Sequence, residues 1–333
     1  MAMEVYSPKQ TIKPRIYVRI PMAEPYVSQL KELAADVIVE PWKPGTPEPE
    51  PQADISGCDV IVTVCMRDTL QILEKAPRVK WVHSLSVGID AVRTERLDPS
   101  LVITNPKGCT SIPIAEHTVM CIAAFARNFP TMQRNQAQKK WQNVEMKELL
   151  GSTVGILGYG EIGGQIAQRC KALGMRVIGC RRNPAAARAG DDAADLVVGL
   201  DQVDMVLAAS DFLVLALPSS EATYHFLNRE KLAKTKAGSY LINVGRGNTV
   251  HEGDLIAALQ SGQLAGAALD VFEVEPLPVD HPFWEMENVI VTPHNAYYSP
   301  RTLERNMELL RQNLIRYMRG EELLNVVNVS VSY

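Results

Sequence analysis

Short runs of aliphatic and β-branched residues recur along the chain, separated by stretches whose apolar positions repeat at helical spacing. Arg15–Ile20 alternates and predicts a strand; Tyr26–Leu33 predicts a short helix and Val37–Val39 a second strand. Val60–Val64 is β-branched throughout, as a strand buried on both faces would be. Asp68 suits the N-cap of a helix running through Glu74, and Val79–Leu85 and Leu101–Thr104 read as further strands. Strands alternating with helices imply a parallel sheet covered on both faces, so residues up to about 105 form one open α/β unit. Residues 1–14, polar and proline-bearing, predict a loose terminus, and the five prolines of Pro41–Pro51 predict a surface loop.

A long helix follows at Ile112–Ala126, with Pro113 tolerated in its first turn. Asn128-Phe129-Pro130 breaks it, and Thr131–Trp141 reads as a second helix, polar on one side. The pattern then changes to a second doubly wound unit, about 110–296. Its strands are predicted at Val154–Leu157, Arg176–Cys180, Phe212–Ala216, Tyr240–Val244, Ala267–Leu269 and Val289–Val291, with helical segments such as Asp254–Gln260 between them. Pro300–Arg319 is a long amphipathic helix, and no solenoid-type repeat is visible.

The turn at the head of the second unit carries chemistry. Gly158-Tyr159-Gly160-Glu161-Ile162-Gly163 follows a strand and opens a helix that ends near Gly174. Isolated, this G-x-G-x-x-G is a weak signal, since many chance matches are ordinary turns. With a strand before it, a helix after it and a second strand at Arg176–Cys180, it reads as a dinucleotide-binding βαβ unit. Gly158 lets the chain turn sharply, Gly160 lets a pyrophosphate approach the backbone, and Gly163 lets the helix sit against the strand. The helix start offers free N–H groups to phosphate. NAD-binding units usually place Asp or Glu at the end of the second strand. Here Arg181-Arg182-Asn183-Pro184 stands there, and Asp191 and Asp192 come too late. Guanidinium groups suit a 2′-phosphate, which favours NADP(H), with NAD(H) possible if the arginines are merely solvated.

Composition narrows the class without changing it. The 333 residues are 46% hydrophobic and 22% charged, enough for two ordinary domains. A net charge of −4 offers no electrostatic case for nucleic acid or an anionic membrane. No apolar run has membrane-spanning length, and the N-terminus has no apolar secretory region, so a cytoplasmic location is the expectation. Cys58, Cys65, Cys109, Cys121, Cys170 and Cys180 form no CxxC pair and read mostly as small buried hydrophobes, with no metal expected.

Three polar stretches follow predicted strands: Asn243–Gly247, Leu269–Leu277 and Thr292–Asn295. In open α/β sheets ligands bind beyond the carboxyl ends of strands, so these can converge. They supply an Arg, a Glu and a His. Arg grips a carboxylate and polarises a ketone, and His is a general acid near neutral pH. A Glu beside it holds the ring and keeps a proton available. That set suits reduction of a 2-oxo acid.

These landmarks resemble the D-isomer-specific 2-hydroxyacid dehydrogenases. The family's motifs stand here as Gly158–Gly163, Pro218-Ser219-Ser220-Glu221-Ala222-Thr223, Asn243–Gly247, Asp270–Pro276 and Thr292–His294. The resemblance implies a Rossmann nucleotide domain (109–297, with dimerisation helices) inserted in a flavodoxin-like substrate domain (1–108 plus 298–333). It implies hydride transfer between NADP(H) and a small 2-oxo acid, with glyoxylate or hydroxypyruvate reduction foremost. By position, Arg246 matches the substrate arginine, Glu275 the acid of the dyad and His294 the acid/base. Glu273, two residues early, is a loop carboxylate. Backbone N–H groups at Val87 and Gly88, in the stretch Trp81–Asp90, match those that hold the substrate carboxylate. Asp270 matches the contact to the nicotinamide carboxamide, and Pro218, Thr223, Val244 and Gly245 complete the cofactor set with Arg246 and His294. Asn105-Pro106 and Glu116-His117 match the start of the linking helix, Glu116 as a cap or network residue. A homodimer and closure on substrate are implied.

Other readings stay open. A bulkier oxo acid with NAD is one, and a nucleotide-sensing binding protein like the family's transcriptional corepressors is another. Glu275 argues against a formate dehydrogenase, and no tyrosine has Lys four residues on, as a short-chain dehydrogenase requires. Where the family has a small residue soon after the histidine, Asn295-Ala296 leads here into Tyr297-Tyr298, which close the pocket or simply pack. Arg67 reads as a surface arginine or an anchor for an anionic substrate tail. Trp141 and Trp284 read as packing residues, or as a partner-subunit and a pocket residue respectively. His83 reads as a satisfied core group, and His225, His251 and His281 as loop or cap residues.

Overall fold

The computed structural model describes residues 13–42, 49–64, 69–88, 97–185 and 193–327. The expectations placed on the loose residues 1–12 and on Cys65, Arg67, Asp68, Ile89, Asp90, Asp191 and Asp192 lie outside them. The chain divides into two compact units, Met1–Cys109 with Pro300–Ser332, and Thr110–Ser299.

The first unit is built on five parallel strands, β1 (Arg15–Val18), β2 (Asp36–Val39), β3 (Val60–Thr63), β4 (Trp81–Ser84) and β5 (Val102–Thr104), in the order β2-β1-β3-β4-β5. That order is flavodoxin-like. The central strands β3 and β4 are buried at every position, as two-sided coverage requires. Helices α1 (Glu24–Leu33) and α2 (Thr69–Lys75) connect them. The C-terminal helix, here α9 (Pro300–Arg319), returns to this unit. Its Met307, Leu310 and Leu314 are 0–3% exposed and join Trp81 and the β1 and β3 side chains in one core. At about 1.5–3 kcal/mol per buried aliphatic side chain, that stripe is enough to fix the helix there.

The second unit opens with α3 (Ser111–Ala126) and α4 (Phe129–Ala137), then a seven-stranded parallel sheet. Its strands are β6 (Thr153–Leu157), β7 (Arg176–Cys180), β8 (Leu196–Val198), β9 (Phe212–Leu215), β10 (Ser239–Asn243), β11 (Leu264–Leu269) and β12 (Val289–Val291). The order β12-β11-β10-β9-β6-β7-β8 contains the Rossmann arrangement, with the switch between β6 and β9. Helices α5 (Glu161–Ala172), α6 (Val203–Ala209), α7 (Arg229–Ala233) and α8 (Glu252–Gln260) cover it.

Three details differ from the sequence reading. The predicted helix Thr131–Trp141 runs instead from Phe129 to Ala137. Asn128 takes a left-handed φ of 51° and reverses the chain at once, so Pro130 falls in the new helix's first turn, where its missing N–H costs nothing. Lys139, with φ 55°, then stops that helix early and leaves Trp141 beyond it, fully exposed in this chain instead of packed. Trp284 is likewise half-exposed, its indole N–H donating to the Pro278 carbonyl 2.8 Å away. The short strand β8 had no sequence signal, being three residues of which only Val198 is buried.

Candidate active site

The turn between β6 and α5 has the shape its glycines predict. Gly158 has φ +92°, and a side chain there would collide with the Ala216 carbonyl. Gly160 is the N-cap of α5, and no side chain caps that helix, so its first N–H groups face outward unpaired by the helix itself. This is the cradle a pyrophosphate needs. Tyr159 is buried and Glu161 begins the helix. Ile162 is partly buried against the core.

At the end of β7 the two arginines part. Arg182 is exposed. Arg181 is buried, and its guanidinium donates to the carbonyls of Asn183 (3.0 Å) and Pro184 (3.1 Å) and lies 5.9 Å from the Tyr159 ring centre. It therefore shapes its own loop, whereas Arg182 presents its charge to solvent.

Beyond β9, Pro218–Thr223 forms a compact turn. The Thr223 hydroxyl donates to the Pro218 carbonyl at 2.7 Å and accepts the Ser220 N–H at 2.8 Å. Beyond β10, buried Asn243 organises the next loop. Its Oδ1 accepts from Gly245 N–H and its Nδ2 donates to the Arg246 carbonyl, both at 3.1 Å. Val244 is buried, and Arg246 donates to the Gly245 carbonyl at 2.9 Å. Gly247 lies so close to Phe272 that a Cβ would fall inside the Phe272 carbonyl group. The Arg246 loop and the loop after β11 are thus packed backbone to backbone.

That second loop bears Glu275, whose Oε2 lies 2.7 Å from His294 Nδ1, while its Oε1 accepts the Phe272 N–H at 2.9 Å. Burial pushes the Glu275 carboxyl up. The hydrogen bonds from His294 and Phe272 and the charges of His294 and Arg246 outweigh it and hold the group below the usual range. Glu273 does not reach His294; it lies 3.3 Å from His225 instead.

His294 itself has φ 49°, a left-handed conformation that costs a non-glycine residue about 1–3 kcal/mol. Asp270, 3% exposed, holds the residues on either side of it. It accepts the Thr292 hydroxyl at 2.6 Å and the N–H groups of Asn295 (3.1 Å) and Ala296 (3.0 Å). Thr292 in turn meets His117 Nε2 at 3.4 Å. Burial pushes His117 below the ordinary histidine range, against the opposing pull of Asp270. Neither Thr292 nor His117 stood out in the sequence with a role. The T-P-H triplet was the only signal for Thr292. Tyr297 sets its ring edge-on to His294, with centres 6.3 Å apart, and Tyr298 is largely exposed.

Val87 and Gly88 belong to the other unit, where Asn105 Nδ2 donates to the Val87 carbonyl at 2.7 Å. His83, expected to be a satisfied core group, is satisfied on one side only. Its Nδ1 meets Thr104 Oγ1 at 2.7 Å, while Nε2 is buried without a partner. Thr104 already takes the Trp81 N–H on the same face, so a second buried partner is missing. Burial pushes His83 down to about 3. His251 and His281 cap helical turns and His225 sits in a loop. Glu116 is exposed and pairs with Arg169 at 3.8 Å. Among the described residues no group of His, Cys, Asp and Glu could hold a metal ion, and no helix is long and apolar enough to cross a membrane.

Residues 119–296 match the family model described as "D-isomer specific 2-hydroxyacid dehydrogenase, NAD binding domain". A glyoxylate reductase of Korarchaeum cryptofilum is 32% identical, over 96% of this chain and 97% of its own length. A D-isomer specific 2-hydroxyacid dehydrogenase of Xanthobacter autotrophicus Py2, solved with NADPH and MES, is 31% identical with a TM-score of 0.81, covering 96% of this chain and all of the other. An NADPH-dependent glyoxylate/hydroxypyruvate reductase of Sinorhizobium meliloti, solved with NADP and sulfate, is 28% identical with a TM-score of 0.80, covering 96% of this chain and all of the other.

Proposed function

The chain belongs to the D-isomer-specific 2-hydroxyacid dehydrogenases, NAD(P)-dependent oxidoreductases, and on that premise we propose that it reduces a small 2-oxo acid, glyoxylate or hydroxypyruvate, with NADPH. The observation that carries the reading is the 2.7 Å contact between His294 and Glu275, with the Arg246 charge acting on the same carboxylate.

The uncapped start of α5 and the Gly158 turn fit a dinucleotide pyrophosphate. Exposed Arg182 is the better placed of the two arginines to meet a 2′-phosphate, with Arg181 shaping the loop that presents it. When bound, the nicotinamide supplies a hydride to C2 of the oxo acid. Arg246 and the N–H groups of Val87 and Gly88 bind the substrate carboxylate. His294 gives a proton to the carbonyl oxygen, and Glu275, ionised and accepting from Nδ1, keeps the ring in the orientation that offers Nε2. Asp270 holds the His294 loop and is assigned also to the nicotinamide carboxamide. Residues 1–108 with 298–333 form the substrate domain and 109–297 the nucleotide domain. The protein acts as a cytoplasmic homodimer.

The test is NADPH and NADH oxidation against glyoxylate, hydroxypyruvate, pyruvate and bulkier oxo acids. The reading expects the highest kcat/KM with NADPH and one of the two small acids. Preference for NADH with a bulky acid would replace it by the second reading. Tight nucleotide binding without turnover of any oxo acid would favour a nucleotide-sensing binding protein.

A further inference from the structure

The loop carboxylate Glu273 is part of a second arrangement that the catalytic set does not use. Its Oε1 accepts the backbone N–H of Glu252 at 2.9 Å, and Glu252 Oε1 accepts the backbone N–H of Glu273 at 2.8 Å. Two glutamates thus cap each other's main chain across segments that lie 21 residues apart in sequence. Each has a histidine beside it. His281 Nε2 is 3.3 Å from Glu252 Oε2, and His225 Nε2 is 3.3 Å from Glu273 Oε1. The four side chains are 17–29% exposed, so water screens these pairs in part.

The place of this clamp gives it meaning. Glu252 begins α8, directly after the loop that carries Arg246 and Gly247. Glu273 directly follows Phe272, whose backbone packs on Gly247 and whose N–H binds Glu275. Phe272 is therefore held from one side by contact with Gly247 and from the next residue by the clamp. Its N–H is the only donor besides His294 that Glu275 has among the hydrogen bonds of the described residues.

We propose that Glu273 and Glu252 are positioning residues, whose reciprocal main-chain clamp holds the Phe272 N–H on Glu275 and through it sets the carboxylate that orients His294. This rests on the reading of Glu275 and His294 as the catalytic pair. A clamp that only braced the surface would leave Glu275 untouched when removed. Removing a clamp that positions Phe272 withdraws a hydrogen bond from the ionised carboxylate, and that moves the Glu275 titration upward.

The test is a 13C NMR titration of glutamate side-chain carboxyls in the labelled full-length protein, with Glu275 assigned through Glu275→Gln. Glu273→Ala and Glu252→Ala should each raise the Glu275 midpoint. Glu273→Gln, whose amide oxygen still accepts the Glu252 N–H, should restore it. With NADPH and glyoxylate, both alanine variants should lose about three- to tenfold in kcat, the worth of one loosened hydrogen bond, with KM for glyoxylate unchanged. A Glu275 midpoint unmoved in both alanine variants overturns the proposal. If neither variant folds, amide exchange at Phe272 in the unmodified protein decides: the clamp requires protection, and free exchange overturns it. Absence of any NADPH turnover by the unmodified protein would sink the functional reading instead, and leaves the NMR comparison intact.

Discussion

Asp270→Asn removes a single charge from a buried site and keeps its shape. In the native loop one carboxylate oxygen accepts Thr292 Oγ1–H and Asn295 N–H, and the other accepts Ala296 N–H. An amide has one oxygen. Placed on the Thr292 side it satisfies two donors, but its NH2 then points at the Ala296 N–H, which is itself buried. Placed the other way it abandons two donors. The better orientation strands one buried donor, at a cost of about 1–3 kcal/mol. That matches the roughly 1–3 kcal/mol by which His294 is strained in its left-handed conformation, so the loop can relax by letting His294 go. For a unit of this size each kcal/mol shifts Tm by about 2–4 °C. Displacement of a catalytic group by about 1 Å costs on the order of a hundredfold in rate. We expect Asp270→Asn to lower the Tm by several degrees on that scale and to lower kcat for NADPH-dependent glyoxylate reduction by far more than stability accounts for at assay temperature. Differential scanning calorimetry and steady-state kinetics on one preparation measure both. A variant with native Tm and kcat would refute the idea that Asp270 holds the His294 loop in place.

Other outcomes follow from the same geometry. Gly247→Ala must push Phe272 away from the Arg246 loop; overpacking of this kind costs about 1–3 kcal/mol, and a variant as stable and active as the native protein would contradict the contact. His83 is neutral in the folded chain down to about pH 3, while the unfolded chain binds its proton below about 6.5. Stability is therefore complete above pH 6.5 and falls as the pH drops toward 3, with a limiting slope near 1.4 kcal/mol per pH unit from this group. His83→Asn should flatten that slope in denaturant titrations, and an unchanged slope would count against it. Arg182→Ala should cut the NADPH-to-NADH ratio of kcat/KM at least tenfold, and a ratio that stays put would move the 2′-phosphate elsewhere.

Much of this was legible because backbone geometry writes itself into short patterns. The run Thr153–Cys180 announced its strand, turn and helix through Gly158 and the apolar alternation. The resemblance to the family's motif separated Glu275 from Glu273, and it is Glu275 that meets His294. What was hidden depended on contacts between distant residues. Nothing local reveals that Arg181 turns onto its own loop carbonyls while Arg182 stays in solvent. The grip of Asp270 on Thr292 and Ala296, and of Thr292 on His117, joins three separate stretches of chain. The early end of α4 had no glycine or proline to mark it. Lys139 adopts left-handed backbone, and for want of that stop the predicted helix ran on to Trp141.

The central claim is that His294 supplies the proton for reduction of a 2-oxo acid, with Glu275 behind it. The most direct measurement is kcat/KM for glyoxylate with NADPH in the native protein and in His294→Gln, alongside NADPH affinity by fluorescence titration. The account predicts a fall of about 10²–10⁴-fold in the variant, far beyond any change in nucleotide affinity. Turnover by His294→Gln within a few-fold of the native protein would contradict it.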